Sequence, residues 1–202
     1  MINRSIKIER LAFKFYQSLP DELITIPINI TNIINYFNSN SSFGLKILTY
    51  KHFSKVLGIS TNELICYCQS EFGCILELNN KFIILYNDSD SYTEQRKIFT
   101  IFHELGHWYL KHNVKFDIQK IAQNNTVEAQ ILEDEADYFA ECVLCPTPLI
   151  YKWKPSSPSE IQQKFNISKS ASKIVWDRYI RYDRIKNISC HNDFIKLFKN
   201  KL

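Results

Sequence analysis

The sequence predicts an α+β fold, mainly helical, with a small antiparallel sheet beside one helix that carries two histidines four residues apart. Three observations predict it. Apolar residues recur at helical spacing through residues 96–110 and again through 126–144. Residues 74–78 and 82–86 are short, mostly apolar runs joined by Asn79-Asn80-Lys81, a hairpin signal. The chain has 202 residues, 45% of them hydrophobic, which suffices for a real core and suggests one domain with a small appendage.

The elements follow in order. Residues 6–18 read as an amphipathic helix, stopped by Pro20 and Asp21. A second helix begins near Ile30 and runs through Tyr36 and Phe37, and residues 38–42 form a polar turn. Residues 45–50 alternate as a strand, and 51–57 and 61–67 read as short helices before the hairpin. The helix over 96–110 comes next. Residues 111–125 read as a connecting loop, after which Asn125 or Thr126 caps the helix running to Leu144. Lys7, Glu9, Arg10 and Lys14 interrupt any apolar run near the start, so that stretch is neither a signal peptide nor a membrane span, and the expected location is the cytosol.

The chemistry sits in His103-Glu104-Leu105-Gly106-His107. Residues four apart lie on one helix face, so both imidazoles can reach a single ion. Glu104, beside the first of them, can hold a water bound to that ion. The flanking residues Ile98, Ile101, Phe102, Leu105, Trp108 and Tyr109 bury the helix. A buried histidine pair without partners is costly, and a cation removes that cost.

A tetrahedral catalytic metal takes three protein ligands and leaves the fourth position for water. The third lies in Glu133-Asp134-Glu135-Ala136-Asp137 on the following helix. Glu133 is taken as the ligand. Asp137, one turn on and on the same face, is placed to orient His103. Glu135 competes with Glu133 but points about 200° around the helix, so both cannot face one ion. A solvated acidic face is the plain alternative for the run as a whole.

The set His-Glu-Leu-Gly-His, the acidic helix with Ala136-Asp137 and Phe139-Ala140, then Val143-Leu144-Cys145-Pro146, resembles the ImmA/IrrE-type metallopeptidases. The hairpin, Asn87 and Arg96-x-x-Phe99-Thr100 before the pentapeptide fit as well, and the resemblance covers roughly residues 20–180. Cys145 departs from the Met usual before that Pro, which touches no proposed ligand. The resemblance implies a gluzincin-like core, zinc on His103, His107 and Glu133, Glu104 as general base, and Asp137 as support for His103. It also implies a protein substrate, a helix-turn-helix transcriptional repressor encoded nearby in a mobile element or stress-response locus. The oxyanion needs a further donor, for which Tyr138, Tyr179, His191 and Arg178 are all chemically able.

Charge divides the chain unevenly. Residues 1–149 carry 13 Lys and Arg against 17 Asp and Glu; residues 150–202 carry 12 against 4, so the net +4 is a balance of −4 and +8. The expected organisation is a metal-site core over 1–150, with N-terminal helices, the sheet and two ligand-bearing helices, and a basic helical segment over 151–202 that the resemblance implies is packed on it. Within that segment residues 159–171 have the cadence of a helix-turn-helix, which fits DNA contact and fits two packed helices better. Two other readings stand beside the peptidase: a DNA-binding regulator that keeps the zinc fold without cutting, and a toxin neutralised by a neighbouring gene product. The six cysteines form no pattern of paired metal-ligand spacing, and Cys142 and Cys145 are expected as reduced, buried thiols. Gly is scarce, with 4 residues, and no phosphate-cradling loop is present.

Overall fold

The computed structural model describes residues 2–112, 126–181 and 191–198. The protein is α+β and mainly helical, as the sequence predicts. The chain divides into two compact units, one over residues 30–137 and one combining 1–29 with 138–202. Among the described residues, no helix is long and apolar enough to cross a membrane.

The first unit holds α2 (Ile30–Ser39), β1 (Leu45–Thr49), α3 (Tyr50–Leu57), α4 (Thr61–Cys68), β2 (Gly73–Leu78), β3 (Lys81–Tyr86), α5 (Glu94–Leu110) and the start of α6 (Val127–Leu144). The three strands make one sheet in the order β1-β3-β2. The hairpin is antiparallel, with Ile75 opposite Ile84. The sheet as a whole is mixed, because β1 runs parallel to β3, with Ile47 opposite Ile84. That corrects the expectation of a purely antiparallel sheet. The reason is topological: α3, α4 and β2 intervene between β1 and β3, a crossover long enough to return the chain in the same direction.

Local chemistry sets the boundaries. Asn79 and Asn80 both take positive φ in the hairpin turn, a conformation asparagine tolerates. Thr49 caps α3, and Ser60 caps α4 in a capping box with Glu63. The outer edge of β1 is bridged by a side chain: Asn38 Nδ2 donates to the Ile47 carbonyl at 2.9 Å, and the Ile47 N–H donates to Asn38 Oδ1 at 2.8 Å. A single amide thus satisfies both main-chain groups that a neighbouring strand would otherwise take. Ile33, Phe37, Ile47, Ile84, Ile101, Phe102 and Leu105 are fully or almost fully buried.

α5 packs on β2 and β3. The approach is close at Gly73. A Cβ there would sit 2.5 Å from Thr100 Cγ2 and 2.7 Å from the Leu85 carbonyl oxygen, so a larger residue must push strand and helix apart. This contact holds the start of β2 beside the turn of α5 that precedes His103.

The second unit contains α1 (Ile2–Gln17), the remainder of α6 from Tyr138, α7 (Thr147–Trp153), α8 (Pro158–Phe165), α9 (Lys169–Arg181) and α10 (His191–Leu197). Tyr16 donates its hydroxyl to the Val143 carbonyl and contacts the rings of Phe194 and Phe198. The expected helix, turn and helix of residues 159–171 is present as α8 and α9, packed on each other through Ile161, Phe165, Ile167 and Val175. Cys142 and Cys145 are buried, and burial drives both thiols well above their ordinary range, as expected of inert core cysteines.

A polar network lies inside this unit. Tyr138 donates to Glu9 Oε1 at 2.7 Å, and Arg178 pairs with Glu141 while covering the Tyr138 ring. Burial raises the Glu9 carboxyl above its usual range, against the Tyr138 hydrogen bond and the Arg178 charge, both of which lower it. Because the folded-state value is raised, the stability linked to Glu9 protonation is full below the unfolded value and is lost as pH rises through the folded one. Glu9→Gln, which cannot ionise, should therefore gain on the wild type as pH rises from about 4 to about 7. Paired thermal melts across that range check this; a Tm difference that stays flat or moves in favour of the wild type would contradict it.

Candidate metal centre

Thr93 caps α5 by accepting from the Arg96 N–H, and the helix then runs without interruption through both histidines. Its buried stripe turns His107 fully inward and leaves His103 partly exposed. His103 Nε2 and His107 Nε2 lie 3.1 Å apart. Glu133 reaches across from α6, with one oxygen 3.2 Å from His103 Nε2 and the other 3.5 Å from His107 Nε2. All three ligand atoms lie within 4.8 Å of one another. Ligands at about 2.05 Å in a tetrahedron stand about 3.3 Å apart, so these separations are those of atoms sharing one small cation.

Electrostatics agree. Burial opposes a charge on His103, yet hydrogen bonds to Asp137 and Glu133 and the nearby Glu104 hold its pKa up at about 10. Burial likewise works to raise Glu133, but its hydrogen bonds to His103 and His107 prevail and pull the carboxyl well below the ordinary range. Positive charge therefore belongs between these carboxylates, supplied by a proton or by a metal. Glu104 is buried beside the ligands, and burial raises its carboxyl against the pull of both histidines.

The structure brings the proposed ligands together. His103, His107 and Glu133 converge. Asp137 Oδ1 lies 2.7 Å from His103 Nδ1, the position needed to hold that ring. Glu135, the competing ligand, is directed instead to His112 Nε2 at 3.2 Å. His112 is the residue that sequence reasoning passed over. It stands just past α5, where Lys111 takes a left-handed conformation and turns the chain, and its Nδ1 comes 2.9 Å from His107 Nδ1. A third histidine five residues after the pentapeptide was the available signal. The rest of the 111–125 loop lies outside the described residues. Among the oxyanion candidates, Tyr138 and Arg178 belong to the Glu9 network, Tyr179 accepts from the Tyr151 hydroxyl through its backbone carbonyl, and the side chain of His191 lies outside the described residues.

The centre opens onto a cavity of about 280 Å³. Gly73, Cys74, Ile75 and Leu76 of β2 form one wall; Arg96, Phe99, Thr100, His103 and Glu104 of α5 form another. The Arg96 guanidinium lies over the Phe72 ring at 4.8 Å.

Two helix-borne imidazoles, a carboxylate from a second helix and a buried acid beside them, on a helix flanked by a small sheet, define a metallopeptidase-like domain. The IrrE N-terminal-like domain, a peptidase family, matches residues 69–174, more than half of the sequence, and the chain belongs to that family. The resemblance carried by the sequence motifs is thereby borne out. No curated protein and no solved structure matches the chain.

Proposed function

We propose that the protein is a zinc-dependent endopeptidase that cuts a protein substrate, a helix-turn-helix transcriptional repressor encoded nearby. The observation that carries the peptidase reading is the convergence of His103, His107 and Glu133 beside buried Glu104, on a cavity whose opposite wall is an edge strand. The choice of a repressor as substrate rests on the family resemblance.

His103 and His107 would hold the ion through Nε2, and Glu133 through its carboxylate; zinc suits this nitrogen and oxygen donor set. The bound ion would polarise the scissile carbonyl and acidify a water molecule. Glu104 accepts the proton of the attacking water on its carboxylate and passes it to the leaving amine. Asp137 keeps His103 Nδ1 protonated, which leaves Nε2 free to ligate. β2 lies at the edge of the sheet, so an extended substrate can add to it by main-chain hydrogen bonds and lie along the cavity.

Incubation of the zinc-loaded protein with the purified repressor tests this. The expected result is one internal cut, found by mass spectrometry, abolished by a chelator and restored by zinc. An uncut repressor would sink the substrate assignment; failure to cut any member of a random peptide library would sink the peptidase assignment. A second reading, direct DNA binding, is favoured by Lys169, Lys173 and Arg181 exposed on α9. A mobility shift at physiological salt decides it.

A further inference from the structure

We propose that His112 is a positioning residue for His107, itself fixed by Glu135, so that the protonation pattern of the metal centre is set from its buried side. The inference rests on the metal-site reading above.

The argument is one of proton placement. His107 Nε2 faces His103 and Glu133 and must keep a lone pair to ligate. A neutral imidazole carries one proton, so that proton sits on His107 Nδ1. That nitrogen lies 2.9 Å from His112 Nδ1, which must then accept. The His112 proton is thereby confined to Nε2, where it donates to Glu135 Oε2 at 3.2 Å. Every donor in this chain meets an acceptor, and reversing either tautomer would set two protons or two lone pairs against each other. His107 and His112 are each 2% exposed, so water cannot repair such a mismatch. The rings meet edge to face, with centroids 5.0 Å apart, which leaves little freedom to turn.

The two histidine ligands are thus held differently. His103 is backed directly by the Asp137 carboxylate, on the more exposed side. His107 is backed by a neutral ring with the Glu135 carboxylate behind it. One stretch of α6 supplies Glu133 to both ligands and an acid to each supporting contact.

The test compares His112→Phe, which keeps a ring and loses both nitrogens, with His112→Asn, whose Oδ1 can accept from His107 Nδ1. Zinc affinity is measured by competition with a chromophoric chelator, metal-free Tm is measured alongside, and the wild-type histidine tautomers are read by long-range 1H–15N NMR. His112→Phe should weaken zinc binding about 10- to 100-fold, and His112→Asn should recover most of that loss. The NMR should place the His107 proton on Nδ1 and the His112 proton on Nε2. A purely structural histidine would lower the metal-free Tm and leave zinc affinity unchanged, which overturns the proposal. So would a His112→Asn variant as weak as His112→Phe, or a wild-type His112 protonated on Nδ1; the NMR result stands even if His112→Phe does not fold. A wild type that takes up no zinc overturns the metal-site reading together with this one, whereas tight zinc binding by wild type and His112→Phe alike overturns this one alone.

Discussion

Glu104→Gln is expected to bind one zinc ion per chain and to cleave its substrate about 10²- to 10⁴-fold more slowly than the wild type, the range that general acid–base catalysis contributes. Glu104 stands outside the group of three converging ligands, so the amide leaves the ion in place. It is also buried, and burial disfavours its charge. Removing that charge should therefore leave the melting temperature unchanged or slightly raised, and the loss cannot be ascribed to unfolding. Zinc stoichiometry by elemental analysis and single-turnover cleavage of the same preparation check both halves. Cleavage at the wild-type rate would show that Glu104 moves no proton; loss of zinc would show that it belongs to the binding set.

Zinc itself should shift stability strongly. An ion that binds the folded chain at a free concentration about a thousandfold above its Kd contributes about 4 kcal/mol. For a chain of this size each kcal/mol moves the midpoint by about 2–4 °C. The zinc-loaded protein should thus melt roughly 8–16 °C above the chelator-treated one. Glu133→Ala should abolish nearly all of that difference, because the carboxylate that bridges both imidazoles is gone. His107→Ala should do the same. A zinc-dependent rise that survives intact in both variants would place the ion elsewhere. Scanning calorimetry with and without zinc decides it.

Local signals in the sequence were sufficient for most of the centre. Residues 103 and 107 are one helical turn apart, and 133 and 137 are one turn apart, so each pair shares a face whatever the rest of the fold does. Turn chemistry similarly marks the hairpin at Asn79 and Asn80. What the sequence left open depends on contacts between distant segments. The strand over residues 45–49 is legible from its alternation, but its parallel pairing with β3 depends on how α3, α4 and β2 carry the chain back. His112 follows the end of its helix, so helical periodicity says nothing of where its ring goes; the left-handed Lys111 decides that. In the sequence Glu135 competes with Glu133 because only two residues separate them. In the structure its carboxylate meets His112 instead, a contact between segments that helix periodicity does not announce. α7 and α10 are each 7 residues long, too short for periodicity to announce them.

The arrangement of α6 bears on how this chain can vary over generations. Glu133, Glu135 and Asp137 reach three imidazoles because their spacing along one helix matches the spacing of those rings. Gain or loss of a single codon between positions 133 and 137 would rotate everything beyond it by about 100° and separate the acids from their partners. The helix would survive, with the same acids still in its composition. Point substitutions can be tolerated or reversed one at a time, but a shift of phase misdirects several side chains at once, so this short stretch is closed to length change.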